Sequence, residues 1–143
     1  MVVVYSLALA YFAVFNLYHV VTGTVSVFFP EFSIRFYKAL YHFEPIERKQ
    51  YFLMLKPWGA LSIHAGVLGF FVLSNLERYY PLLIPYFLLI SIRVAYRILF
   101  RKEIAALFEV DLRRNITNIG MLVLDLLVFA LLFYVHHAGS RPF

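Results

Sequence analysis

A stretch of the chain at residues 81–100 most constrains how this protein can fold. Its sequence, PLLIPYFLLISIRVAYRILF, is apolar and reaches the length of about 20 residues that a bilayer-spanning helix needs. The same stretch carries Arg93 and Arg97 in its second half. Because a charged side chain at membrane depth is costly, each arginine is expected to reach an interface or to meet a partner within the protein.

Three more apolar stretches accompany this one, and spans are predicted at about residues 3–28, 57–76, 81–100 and 116–137. Hydrophobic residues make up 63% of the 143 residues and charged residues 15%, and a water-soluble domain of this size has too little interior for so much apolar surface. The sequence therefore predicts a single all-α domain, an integral membrane bundle of four transmembrane helices.

The two long connections between these spans, residues 29–56 and 101–115, have an amphipathic pattern. In the first, Phe32 and Phe36 fall on one helical face and Arg35 falls on another. This arrangement is typical of a helix that lies in the membrane interface. Both connections are therefore expected to be interfacial helices that contact the lipid bilayer.

Basic residues are concentrated in the same two connections. The connections hold five and four of them, whereas the turn near residue 78 and the C-terminal tail hold one each. The nine are Arg35, Lys38, Arg48, Lys49, Lys56, Arg101, Lys102, Arg113 and Arg114. The positive-inside rule then places both termini outside and both connections in the cytoplasm, as expected for a bacterial cytoplasmic membrane. Basic segments against a membrane favour anionic lipid over nucleic acid as a partner.

One acidic residue, Asp125, interrupts the fourth span. A rise of about 1.5 Å per residue places Asp125 and Arg93 at similar depths, on consecutive spans. An intramembrane ion pair is therefore predicted, with Arg97 nearer the surface. Such a pair can fix the register of the helices. Alternatively, Asp125 serves as the carboxylate of a proton or quinone site and Arg93 tunes it.

Two histidines, His19 and His64, are predicted at matched depth on the first two spans. Histidines on antiparallel helices can ligate a b-type haem from both sides, and a single one can ligate a chlorophyll-type pigment. The alternative is that each histidine hydrogen-bonds a neighbouring helix or subunit. In the second span, Ser62 and Gly66 belong to a small-residue face, and His64 lies roughly opposite, since two residues turn a helix by about 200°.

Signatures of soluble enzymes do not occur in the sequence. There is no GxSxG motif, no phosphate-binding glycine loop and no HExxH motif. The chain also has no cysteine, which excludes disulfides, thiolate metal sites and thiol catalysis. The sequence therefore favours a non-catalytic role over an enzyme, and it predicts no metal site.

The segments GALSIHAGVLGF in the second span and LISIRVAYRIL in the third resemble the DoxX-like group of small four-helix membrane proteins. The resemblance implies an architecture shared with redox-associated and accessory membrane proteins of mixed function, and no functional residue carries over from it. The leading hypothesis is a non-catalytic accessory subunit of a larger energy-transducing complex (respiratory, photosynthetic or a membrane oxidoreductase), whose partners are other membrane subunits. The alternatives are an electron-transfer protein that binds haem or quinone, and a small proton-linked transporter or membrane enzyme centred on Arg93 and Asp125.

Overall fold

The fold is that of a computed structural model, which describes residues 2–41, 48–108 and 112–139. Within these ranges nearly every residue is helical and no strand forms. The elements, in chain order, are α1 (Val2–Phe28), α2 (Pro30–Tyr41), α3 (Arg48–Ser74), α4 (Leu76–Tyr79), a 3₁₀ turn (Tyr80–Leu82), α5 (Leu83–Leu99), α6 (Arg101–Phe108) and α7 (Leu112–Gly139). The predicted all-α fold is confirmed.

Four segments are long and apolar enough to cross a membrane. They are Val3–Phe28, Lys49–Ser74, Leu76–Leu99 and Asn115–Ala138. Contacts between residues near the ends of these segments show that consecutive spans run antiparallel. The bundle end that carries α2 and α6 is called the connection side below, and the end with both chain termini is called the terminal side.

Helix α3 begins at Arg48, nine residues before the start of the span predicted at residue 57. The nine additional helical residues include Arg48, Lys49 and Lys56. Hydropathy assigns these basic residues to the connection, because it does not distinguish a polar helical turn from a loop. Pro57 lies inside the helix with its ring exposed. Transmembrane helices tolerate such an internal proline because local adjustments satisfy the carbonyl that it leaves without a donor. Residues 42–47 and 109–111, in the middle of the two predicted connections, lie outside the described residues.

Helices α1 and α3 approach each other closely through glycines. A Cβ atom added to Gly23 would lie 2.5 Å from the carbonyl oxygen of Gly59, and one added to Gly59 would lie 2.7 Å from that of Gly23. Further along, a Cβ atom at Gly66 would lie 2.6 Å from the carbonyl oxygen of Asn16. Two backbones that pack this closely gain van der Waals contact. Within a membrane this contact helps to drive helix association, because lipid tails are as apolar as the side chains and the hydrophobic effect does not favour one over the other.

An aromatic cluster joins α1, α5 and α7 in the core. The rings of Phe12, Tyr86 and Phe129 contact one another edge to face, with centroids 5.4–5.7 Å apart. Phe12 and Phe129 are 0% and 1% exposed, and the buried side chains of Leu83 and Leu132 pack around them. This core fills the half of the bundle nearer the terminal side, so the polar residues described next lie mostly in the other half.

The short helix α2 packs against the connection-side end of α1. The hydroxyl groups of Ser26 and Ser33 are hydrogen-bonded to each other at 2.9 Å, and both side chains are buried. Away from α1, Phe32 and Phe36 are exposed on one side of α2, and Arg35 is exposed on another. This amphipathic arrangement matches the interfacial helix predicted for the first connection.

Candidate functional site

The most buried carboxylate of the described chain, that of Asp125 on α7, has a tyrosine as its direct partner. Asp125 is 6% exposed, and the hydroxyl of Tyr11 on α1 donates a hydrogen bond of 2.7 Å to its Oδ1 atom. A hydrogen bond to a charged group is about twice as strong as a neutral one. The bond therefore links α1 to α7 near the middle of the membrane.

The sequence pattern does not distinguish Tyr11 as a partner of Asp125. Counting residues from the helix ends placed Asp125 at the depth of Arg93 on α5, whereas its hydrogen-bond partner, Tyr11, lies on α1. That count assumes that all helix ends lie in one plane, and side-chain length and helix tilt invalidate the assumption. Tyr11 is also one of eleven tyrosines, and no motif distinguishes it.

Arg93 on α5 acts on this site through its charge. It is half-buried, and it lies near enough for its charge to act on Asp125 and on His19. Among the described residues, no hydrogen bond or close ion pair joins Arg93 to Asp125. The hydrogen bond that Asp125 accepts comes from the hydroxyl of Tyr11. The structure thus places Arg93 within electrostatic range of Asp125 without a direct contact, and the intramembrane ion pair stays a prediction.

Arg97 lies away from Asp125, at the connection-side end of α5. Its Nη1 atom donates to Oδ1 of Asn115 on α7 at 3.2 Å, and Nδ2 of Asn115 donates back to the carbonyl oxygen of Arg97 at 3.4 Å. Asn115 is 4% exposed. This reciprocal pair holds the end of α5 against the beginning of α7.

The structure does not bring His19 and His64 together. His19 lies half-buried beside the α1–α3 contact, and its Nδ1 atom donates to the carbonyl oxygen of Phe15 at 2.8 Å. His64 is exposed on the side of α3 that faces away from α1, as the helical periodicity predicts. Ligation of one haem by both histidines requires side chains that converge, and these two diverge.

The local environment of His19 defines what it can still bind. Its ring packs on that of Phe15, with centroids 4.1 Å apart, and its own carbonyl oxygen accepts a hydrogen bond from Ser62 on α3 at 2.9 Å. With Nδ1 engaged, Nε2 is the nitrogen that would contact a ligand. No group of three or more His, Cys, Asp or Glu side chains within the described ranges is arranged to hold a metal ion.

A buried amide lies one turn from His19 on the same helix. Asn16 is 0% exposed, and neither its nitrogen nor its side-chain oxygen has a hydrogen-bond partner. The amide fills the space that the missing side chain of Gly69 leaves on α3. Asn16 therefore faces α3 rather than lipid.

A second polar group closes the terminal side of the bundle. Tyr5 on α1 is hydrogen-bonded to Nε2 of His136 on α7 at 2.7 Å. Tyr80, in the 3₁₀ turn, contacts Nδ1 of His137 at 3.4 Å, and the ring of Phe133 stacks on that of His137. These contacts join three elements at one level and hold the ends of α1 and α7 beside the turn.

Comparison with known proteins gives no match. No protein-family model matches the chain, and neither the curated proteins nor the solved structures yield a significant match. The resemblance to the DoxX-like group therefore stays a prediction.

Proposed function

We propose that the protein is a non-catalytic subunit of a larger membrane complex and that it contacts a neighbouring subunit through α3. The observation that carries this proposal is the exposed position of His64 in the middle of a membrane span. Polar side chains at this depth are costly against lipid and normally face protein or a water-filled cavity. A transmembrane helix of another subunit, with a group that hydrogen-bonds the imidazole, would remove that cost.

The residues around His64 support this reading. Leu61, Val67 and Phe71 share its helical face, and 64%, 55% and 48% of their respective side chains are exposed. These four residues, Leu61, His64, Val67 and Phe71, are called the α3 outer face. A face made for lipid alone gains nothing from an imidazole among apolar side chains, whereas an interface gains a directional contact.

The distribution of basic residues and the resemblance to the DoxX-like group support a proposed membrane orientation and a proposed kind of complex. Nine Lys and Arg residues in the two connections favour a cytoplasmic connection side, with both termini outside. The likeness to DoxX-like proteins supports a redox-associated or other energy-transducing complex in a bacterial cytoplasmic membrane.

Site-specific photocrosslinking in native membranes tests the proposal. A photoreactive amino acid at Val67 is expected to crosslink to a second protein, whereas the same probe at Ile92, a similarly exposed position on α5, should crosslink to lipid. His64→Leu should lower the crosslinking yield from position 67, and the matched change Leu61→Ile should leave it unchanged. Crosslinking of position 67 to lipid alone would contradict the proposal.

A second candidate function is a proton-linked transporter or membrane enzyme centred on Asp125. It is favoured by the hydrogen bond from Tyr11 to a carboxylate that lies within the charge field of Arg93. Buried acids at membrane depth commonly serve as proton relays. Asp125→Asn keeps the shape and the accepting oxygen but removes the titratable group. If the variant accumulates normally and proton uptake by proteoliposomes is lost, Asp125 is functional; if uptake is unchanged, the carboxylate is structural.

A further inference from the structure

We propose that the neighbour of α3 is a transmembrane helix of a different protein, which carries a carboxylate opposite Lys56 at the connection side. The same helix brings a hydrogen-bonding side chain level with His64, about 12 Å deeper in the membrane. Both contacts rest on the proposed function, which places a second protein on α3, and they specify the chemistry of that protein.

The exposed surface of α3 contains a seam with the spacing that paired helices use. From Leu53 to Ser74, exposed positions follow one another at alternating intervals of four and three residues. The seven positions, called the α3 seam below, are Leu53, Pro57, Ala60, His64, Val67, Phe71 and Ser74. Such a period of 3.5 residues keeps one side of a helix against a partner that crosses it at about 20°. No described part of the chain covers the α3 seam, so another helix can pack along it.

The α3 seam differs in composition from the exposed surfaces of the other spans. In the middle of α1, α5 and α7 the exposed side chains are apolar, as with Leu17, Ile92 and Leu127, which are 54%, 65% and 63% exposed. The middle of the α3 seam instead holds His64, which has no hydrogen-bond partner among the described residues. One turn away, the small side chain of Ala60 lets the backbone of another helix approach closely. Lipid tails cannot hydrogen-bond an imidazole, so this surface suits a helix better than it suits lipid.

Two lysines lie beside the α3 seam at its connection-side end. Lys49 and Lys56 are exposed and seven residues apart, so they share one side of α3, and neither has an ion pair among the described residues. The Cα–Cβ bonds of a helix tilt towards its N terminus, which in α3 lies at the connection side. This tilt favours lysine side chains that extend to that interface. Charged residues that flank a helix seam pair with opposite charges on the partner helix, so the partner that complements this end of the α3 seam is acidic.

Pairing of α3 with the α3 of a second copy does not supply this acid, because the helix contains no Asp or Glu within Arg48–Ser74. Two copies inserted in the same orientation would pair in parallel, so that Lys49 meets Met54 and Lys56 meets Leu61 of the other copy. Four lysine charges would then come together without a carboxylate between the two helices, and like charges oppose association. The charges therefore favour a different protein as the partner.

Carbodiimide crosslinking in native membranes tests the contact at Lys56. The reagent activates a carboxylate, and an amine in contact with it attacks the acyl carbon to form an amide while the reagent leaves as a urea. Because no spacer is added, the amide forms only between groups that touch. Mass spectrometry of the linked peptides then identifies the residue that is joined to Lys56 and the protein to which it belongs.

We expect the parent chain to be joined through Lys56 to an Asp or Glu of a different protein. Lys56→Arg keeps the positive charge, but it should lower the yield of this product at least about tenfold, because a guanidinium stays protonated and does not react as a nucleophile. Lys102→Arg, at an exposed position on α6 away from the α3 seam, is the matched control and should leave the yield unchanged.

Charge reversal gives a second readout, through a photoreactive amino acid at position 67. Lys56→Glu should lower its crosslinking to the second protein at least about threefold, because two carboxylates then face each other. Lys56→Arg, which preserves the charge, should leave this crosslinking unchanged. Equal crosslinking in Lys56→Glu and in the parent chain would overturn the proposed acidic contact.

Two further results would overturn it in membranes where position 67 still crosslinks to protein. They are the absence of an amide at Lys56 and the formation of an amide with a second copy of this chain. Either result leaves the proposed function standing, whereas crosslinking of position 67 to lipid alone would contradict both proposals, so the two can fail separately.

Discussion

The close approach of α1 and α3 gives a sharp prediction about one methyl group. In Gly23→Ala the new Cβ atom would lie 2.5 Å from the carbonyl oxygen of Gly59 and 2.8 Å from the backbone nitrogen of Ile63. Both neighbours are backbone atoms, so no side chain can rotate away and the helices must separate by most of an ångström. Overpacking of this kind costs about 1–3 kcal/mol.

Gly120→Ala is the matched control for this change. Gly120 lies on α7 and is exposed, and a Cβ atom added there would meet nothing within 4 Å. Since alanine is favoured over glycine inside a helix by up to about 1 kcal/mol, the control should be neutral or slightly stabilising. The same propensity gain acts in Gly23→Ala, so the difference between the variants isolates the cost of contact.

The assay is unfolding by sodium dodecyl sulfate in mixed micelles, followed by far-UV circular dichroism and by tryptophan fluorescence. Trp58, the one tryptophan in the chain, directly precedes Gly59 on α3 and reports the α1–α3 contact. We expect Gly23→Ala to unfold at a lower detergent fraction than the parent and to shift the emission of Trp58. Equal stability of Gly23→Ala and Gly120→Ala would refute the glycine-mediated packing of α1 against α3.

Three further experiments test individual side chains. Tyr11→Phe removes the hydrogen bond to Asp125 and should destabilise the bundle by about 1–3 kcal/mol in the same assay, whereas Tyr134→Phe, at an exposed position, should have no effect. Asn16→Leu replaces an amide without hydrogen bonds by an apolar side chain of similar size, so stability should be unchanged or should rise; a marked loss would show that the amide has a bound partner. Absorbance spectra of the oxidised and the dithionite-reduced protein should lack the signal of a bis-histidine b-type haem, because His19 and His64 diverge; a haem band that is lost when either histidine is replaced would contradict this geometry.

The sequence predicted those features that depend on length and periodicity. Four apolar stretches gave the number of spans, and the small residues of the second span marked a face for a neighbouring helix, which the structure shows to be α1. The position of His64 opposite that face also followed from the helical repeat alone. These features depend on neighbours along the chain, so a single sequence contains the information.

Contacts between distant helices were not predictable in the same way. The partner of Asp125 is Tyr11, separated from it by 114 residues, and it is determined by how far α7 slides relative to α1. Similarly, Arg97 pairs with Asn115, an amide in a segment assigned from sequence to a connection. A charge attracts any suitable group within reach, and which group is in reach depends on helix tilt and rotation, which hydropathy does not encode.

The arrangement of charges around α5 has a consequence for biogenesis. Arg93 and Arg97 enter the membrane on α5, while the groups that balance them, Asp125 and Asn115, are both on α7 and are translated later. An arginine near the centre of an isolated helix costs about 2.5–3.5 kcal/mol to insert, and one near the helix end, such as Arg97, costs less because its side chain can reach the interface. We therefore expect α5 to insert less completely in a nascent chain truncated after α6 than in the full chain, in which Asp125 and Asn115 are present.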